Sequence, residues 1–334
     1  MLSQIKRTLK NIAFCIPPIK RLATQRALLE AKVKNLELEI KNHLQVHLPI
    51  LERTQYSKIA IPLDYPPSRK YEPRWGYSQP VEPIIYNWFS KFSEQYTTLL
   101  QEMKILALEL KNMQMVFESK NLPEPAWTGI PYSPFDLLTL YSIIRTNKPK
   151  RFIEIGSGAT TCIAHKAIKK NGGNTKIISI DPEPRAEIDA ICDEIIREGL
   201  ECCDLTIFDR LEPGDILFFD GSHRSFVNSD VTVFFIDVLP RIKPGVVIHI
   251  HDITIPWDYP SMFLPWYWNE QYLLHIYLMG NMQRIIPLAP TAFICRFPMF
   301  EKFFSEPVLD IDIPLKDWQG GGAFWFTHTK PISD

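Results

Sequence analysis

No stretch of about 18 apolar residues occurs in the chain, which excludes a membrane-spanning helix. Neither sign of charge is in excess: 37 Lys and Arg against 38 Asp and Glu leave a formal −1, so nothing in the balance calls for a nucleic-acid partner. Cysteine is scarce, with six residues at positions 15, 162, 192, 202, 203 and 295, no CxxC pair, and no spacing of a zinc site or a secreted disulfide framework. The adjacent Cys202 and Cys203 are expected to be buried thiols. A secretory leader is not expected either, because the basic residues near the N-terminus surround only a short apolar patch, Ile12 to Ile16, without a convincing small-residue cleavage site; a cytoplasmic location is expected. What is present is ordinary globular composition, 46% hydrophobic and 22% charged, over 334 residues that fit two domains or one large domain with an extension.

From Pro18 to Leu44 the residues are mostly Ala, Leu, Glu and Lys. Leu22, Leu29 and Leu36 recur every seven residues, with Val33 and Ile40 at the intervening position. Arg26 and His43 interrupt this seam, so a short dimerisation or docking helix is expected, giving a homo-oligomer as one partner reading. The prolines between 45 and 83 mark an irregular link. Ile84 to Met115 reads as one or two amphipathic helices, whose stripe Ile85, Trp88, Phe89, Phe92 and Tyr96 is expected to face a core.

After Pro125 the pattern changes. Ser133 to Arg145 reads as a helix, and short apolar runs then alternate with helical stretches, which is the grammar of βαβ units. The expected strands are Arg151–Ile155, Lys176–Ile180, Glu194–Glu198, Asp215–Phe219, Gly245–His251, Gln283–Leu288 and Ala323–Thr327. Five of them are apolar enough to be buried on both faces, which implies a parallel sheet with right-handed crossovers. The chain thus divides into a helical extension over 1–45, a proline-rich linker with amphipathic helices over 46–125, and an α/β domain over 126–334. Ligands of such sheets bind beyond the carboxyl ends of the strands, so the residues that follow each strand carry the chemistry.

The first strand runs into Gly156-Ser157-Gly158-Ala159-Thr160-Thr161. Glycines there let the backbone turn sharply and come close to a ligand. Glu154, two residues earlier, repels a pyrophosphate but attracts an ammonium. The second strand ends at Asp181, about 25 residues after Gly156, where a carboxylate can accept from both hydroxyls of a ribose. The fourth strand delivers Asp220-Gly221-Ser222-His223, and the fifth delivers His251-Asp252, with His249 on the same face as His251. Asp220, His223, His251 and Asp252 together suit a divalent ion or acid/base work.

The turn, with Glu154, Gly156, Ser157, Gly158, Thr160 and Asp181, resembles the class I S-adenosylmethionine-dependent methyltransferases. That resemblance implies a Rossmann-like, doubly wound, mostly parallel seven-stranded sheet with helices on both faces, S-adenosylmethionine as cofactor, and a contact of Gly199-Leu200 with the adenine. Asp220 joins the cofactor set by the same likeness. A dinucleotide-dependent oxidoreductase would carry a third glycine at position 161, where this chain has Thr161. Around the reaction end the residues are similar to the metal-dependent sugar O-methyltransferases of macrolide biosynthesis. That likeness implies Asp220 and Asp252 as ligands of a divalent metal such as Mg, His251 standing where the group has an acid, and His223 as the base acting with Asp220. It points to a glycan or small natural-product hydroxyl as acceptor. The segment Trp268-Asn269-Glu270-Gln271-Tyr272 resembles one in bacterial methyltransferase-domain proteins. Trp257, Tyr259, Trp266, Tyr267 and Trp268 form either a lid that stacks on a sugar or the packing of a long loop. An NAD-dependent oxidoreductase and a non-catalytic scaffold are the competing functions.

Overall fold

Short apolar runs follow Pro149, and several of them end in Gly, Asp or His. In a computed structural model they become strands of one sheet. The structure describes residues 22, 25–38, 73–76, 81–118, 122–184, 187–305 and 313–330. The chain divides into two units, Met1–Arg69 and Lys70–Asp334. In the first, residues 25–38 are helical and every side chain is exposed, so Leu29, Val33 and Leu36 of the heptad seam have no cover. Cys15, Ile40, His43 and the basic stretch before Leu22 lie outside the described residues, as does most of the proline-rich segment.

The second unit is built on seven strands in the order β5-β4-β3-β6-β7-β9-β8. These are β3 Arg151–Ile155, β4 Lys176–Ile180, β5 Glu194–Ile196, β6 Ile216–Phe219, β7 Val247–Ile250, β8 Ile285–Pro290 and β9 Phe324–His328; a separate parallel pair, β1 Gln114–Val116 and β2 Ala126–Thr128, precedes them. β3 to β7 pair in parallel, and β9 joins β7 and β8 antiparallel. The order reverses beside β3, which places a crevice between the carboxyl ends of β3 and β6. β8 carries Pro287 within the strand, which is tolerated because β8 is an edge.

Ile84 to Met115 forms two helices, α1 Pro83–Ser90 and α2 Ser93–Ala107. The Glu82 carboxylate accepts from the backbone N–H groups of Ile84 and Ile85 and starts α1, with Pro83 at its first position. Their stripe is core as expected: Ile85, Trp88, Phe89 and Tyr96 are buried. α3 Pro134–Asn147 is capped by Ser133 and packs against α4 Ala159–Lys170. α5 spans Glu270–Asn281 and α6 Pro298–Ser305.

The register puts Phe152, Glu154, Phe218, His249 and Trp325 on one face of the sheet, and Phe219, which stacks on Phe234 at 4.0 Å, on the other. Asp136 of α3 is a buried tie between distant segments. Its two oxygens accept from Thr291 Oγ1, Ala323 N, Ser133 Oγ and Gly322 N.

The structure corrects several expectations. Among the described residues, the connection from β4 to β5 holds a 3-10 turn, Asp189–Ile191, and no α-helix. β5 is only three residues long and partly exposed, because it is the other sheet edge. Cys202 is exposed and Cys203 half-buried, since they end and follow a short 3-10 turn, Leu200–Cys202. No helix among the described residues is long and apolar enough to cross a membrane.

Candidate active site

Gly156 leaves β3 with φ +80, and a Cβ built on it would lie 1.9 Å from the backbone oxygen of Asp220. Only glycine fits. The turn after β3 therefore rests directly on the residue that ends β6, and Asp220 N donates to Ile155 O at 2.9 Å to complete the join. Gly158 has extended backbone and is the N-cap of α4. Its N–H donates to Thr161 Oγ1 at 3.0 Å.

Glu154 is fully buried on β3 and accepts from Thr160 Oγ1 at 2.6 Å and Thr161 Oγ1 at 2.5 Å. Burial pushes its carboxyl up to about 8 against the pull of those two hydroxyls. The acid thus clamps the glycine turn to the first turn of α4. Ser157 N donates to Asp181 Oδ2, and Glu183 N to Asp181 Oδ1, both at 2.8 Å, so the acid that ends β4 grips the turn that follows β3. Ser157 Oγ accepts from Ser179 Oγ. Glu154, Gly156, Ser157, Gly158, Thr160 and Asp181 are accordingly one connected set at the carboxyl ends of β3 and β4. Gly199 and Leu200 follow β5, where Leu200 is buried.

At the neighbouring strand ends, Asp220, His223 and Asp252 meet. His223 Nε2 lies 3.4 Å from Asp220 Oδ1 and 3.3 Å from Asp252 Oδ2. The three can offer one donor atom each with all atoms within 4.8 Å of one another. His223 (φ +62) and Asp252 (φ +54) both hold left-handed backbone. Side chains avoid that region, and departures of this kind concentrate at functional sites. Gly322 lies against Asp252, 3.7 Å from its Cα to where a Cβ would be, and accepts from Ile253 N.

Three further groups complete the set; Tyr132 and Glu270 carried no role in the sequence reading, and Trp268 entered it only among the aromatic residues of a lid or loop packing. Tyr132, on the loop before α3, donates its hydroxyl to Asp220 Oδ2 and lays its ring 4.3 Å from that of His251. Glu270, the first residue of α5, is fully buried and places its Oε2 2.8 Å from His223 Nδ1. Trp268 places its ring 4.3 Å from the imidazole of His223. The segment Trp268 to Tyr272 was the only sequence signal for Glu270.

His251 is buried, with Nε2 3.8 Å from Asp252 Oδ1 and Nδ1 without a hydrogen-bond partner. It stands beside the Asp220–His223–Asp252 group rather than within it. His249 shares its face, as strand alternation requires, but stacks on Phe218 at 3.8 Å inside the core, and burial holds it neutral. Trp257 and Tyr259 are buried packing, whereas Trp266 and Trp268 are half-buried and Tyr267 is exposed.

The electrostatics follow from three carboxylates around one imidazole. Burial works against a charge on His223, yet Asp220, Glu270 and Asp252 outweigh it and hold the ring's pKa well above its usual value. Burial raises Asp220 too, but His223, His251 and Tyr132 more than reverse this and keep it ionised. Burial pushes Glu270 up to about 7 and raises Asp252. Such a site carries more negative charge than its own histidine offsets, and therefore favours a cationic ligand. Asp220 and Asp252 keep 13% and 22% of their side chains exposed while Glu270 keeps none, so a ligand arrives on the Nε2 side of His223.

Residues 153–253 match the family model of a methyltransferase domain. That span runs from β3 to just beyond β7. It contains Glu154, Gly156, Asp181, Asp220, His223, His251 and Asp252, and excludes Tyr132 and Glu270. Among solved structures, the chain is similar to the SAH-bound methyltransferase PaMTH1 of Podospora anserina, with 16% identity, a TM-score of 0.37, and coverage of 67% of this chain and 93% of that one. No curated protein matches the chain.

Proposed function

We propose that the chain is an S-adenosylmethionine-dependent methyltransferase acting on a hydroxyl of a small molecule, a sugar or a natural product, with His223 as the base. The observation that carries this reading is the surplus of carboxylates at the ends of β3, β6 and β7, inside the span that matches a methyltransferase domain. The cofactor supplies an electrophilic methyl group on a positively charged sulfonium when bound. Asp181 and the Gly156–Gly158 turn would hold its nucleoside and amino-acid parts, and Glu154 would keep that turn in shape through Thr160 and Thr161. His223 carries a proton in the free protein and sheds it before Nε2 can take one from the acceptor hydroxyl. Turnover should therefore rise with pH. Methyl transfer is an in-line displacement, so orientation by Asp220, His223 and Trp268 supplies much of the rate.

A divalent cation is a second reading, favoured by the spacing of the donor atoms of Asp220, His223 and Asp252. The two carboxylates suit magnesium, whereas an imidazole in the set suits zinc, iron or nickel better. A cation there would lower the pKa of an acceptor hydroxyl, and His223 would then act as a ligand. Turnover lost in EDTA and restored by one added metal would favour this second reading. The N-terminal helix offers its exposed leucine seam to a second copy of the chain.

The test of the main reading is calorimetric titration of the full chain with S-adenosylhomocysteine and, separately, with NADH. Heat with the first and none with the second is expected; the reverse would install the oxidoreductase reading. His223→Ala should leave S-adenosylhomocysteine affinity within about twofold and lower turnover by roughly 10²- to 10⁴-fold, the usual contribution of a general base.

A further inference from the structure

The contrast between two buried carboxylates separates a structural acid from one with a different duty. Asp136 satisfies four donors with its two oxygens and ties together three segments. Glu270 is buried as completely, yet its Oε1 has no hydrogen-bond partner and its Oε2 meets the ring of His223. A carboxylate taken out of water costs several kcal/mol unless its partners repay it. Glue for a helix end would satisfy both oxygens, and Glu270 serves the imidazole instead.

The surroundings hold that contact in place. The backbone oxygen of His223 accepts from the N–H groups of Asn269 at 3.0 Å and Glu270 at 3.3 Å, which fastens the left-handed turn to the start of α5. Ser225 N donates to Asn269 Oδ1 at 2.7 Å, and Arg224 Nε to the Trp266 backbone oxygen at 2.9 Å. Trp268 limits rotation of the ring.

A neutral imidazole has one N–H, and two sides of this site compete for it. Asp220 and Asp252 face Nε2 at 3.4 and 3.3 Å, while Glu270 faces Nδ1 at 2.8 Å. Were the proton on Nε2, that nitrogen would be blocked as a base on the only side open to a ligand. We propose that Glu270 is a positioning residue that keeps the ring proton of His223 on Nδ1, leaving Nε2 as the nitrogen that receives the proton of the acceptor hydroxyl. The proton balance is simple: the hydroxyl proton passes to Nε2, the hydroxyl oxygen bonds to the transferred methyl, and Nδ1 stays bonded to its own proton, donated to Glu270. This inference rests on the proposed methyl transfer and adds to it a residue outside the span that matches the methyltransferase domain.

The experiment is long-range proton–nitrogen NMR of the full ¹⁵N-labelled chain on the alkaline side of the ring's titration, with His223→Gln used to assign the His223 signals. The wild type should show the Nδ1–H form. In Glu270→Gln the acceptor keeps its shape and loses its charge, so the proton should move to Nε2, toward the two remaining carboxylates. Unchanged ring signals in Glu270→Gln would overturn the proposal. So would a wild-type ring protonated on Nε2 alone, which needs no variant. Calorimetry with S-adenosylhomocysteine on the same samples separates this result from the parent reading. A proton shift without heat removes the methyltransferase and keeps the dyad, whereas heat without a shift does the opposite.

Discussion

Replacing Gly156 by alanine should damage the cofactor end and the reaction end of the site together. The new Cβ would stand 1.9 Å from the backbone oxygen of Asp220 and 2.9 Å from its carbonyl carbon, far inside the 3.4 Å at which ordinary contact begins. Both neighbours are backbone, so no side chain can swing aside. The left-handed conformation, φ +80, costs alanine about 1–2 kcal/mol, and forcing an extra carbon into a packed site adds about 1–3 kcal/mol. Together these give a loss of roughly 2–5 kcal/mol. The displacement has one way to go, through Asp220, which carries the hydroxyl of Tyr132 and faces Nε2 of His223. Urea unfolding followed by tryptophan fluorescence should therefore show a midpoint lower by on the order of 1 M. Calorimetry with S-adenosylhomocysteine should show heat reduced or absent at a temperature where the variant is still folded. Gly158→Ala, at an extended N-cap position, should do much less. A Gly156→Ala protein that unfolds at the wild-type midpoint and binds as the wild type does would refute the argument.

Two other outcomes follow from buried carboxylates. Asp136→Ala strands the N–H of Gly322, while Ala323 N keeps Thr291 Oγ1 and the Thr291 hydroxyl keeps Ala323 O, and should lower the unfolding free energy by on the order of 2 kcal/mol in urea titration; a loss under about 0.5 kcal/mol would show that the tie is dispensable. Glu154 has its folded-state value raised to about 8, above the 4.5 of an unperturbed glutamate, so its contribution is full below pH 4.5 and is lost as pH rises toward 8. Unfolding midpoints of the ligand-free wild type should fall across that window, at up to about 1.4 kcal/mol per pH unit, and Glu154→Gln should flatten the decline. Identical pH slopes for the two proteins would remove the buried-acid argument.

β3, β4, β6 and β7 could be read from the chain because a strand covered on both faces is a mostly apolar run, and each run is closed by a glycine or a polar residue. Asp220, His223, His251 and Asp252 were visible for the same reason, since whatever follows such a strand in a parallel sheet sits at its ligand-binding edge. Gly156 was visible as a turn residue, although its neighbour, the backbone of Asp220, was not. Edge strands were read less well: β5 is short and half-exposed, so burial leaves little pattern in its residues.

The partners of the site residues were decided by tertiary structure alone. Tyr132 stands 88 residues from Asp220 and Glu270 stands 47 from His223. Both come from loop or helix ends, where no period of two or of 3.6 marks which way a side chain turns. Glu154 shows the same division, because its place before the glycine turn is written in the chain while the capture of both its oxygens by Thr160 and Thr161 depends on how α4 meets β3. Local order determined which residues reach the carboxyl edge, since burial periodicity is a near-neighbour property. Which of them share a proton depended on packing between segments far apart, which only the folded chain brings together.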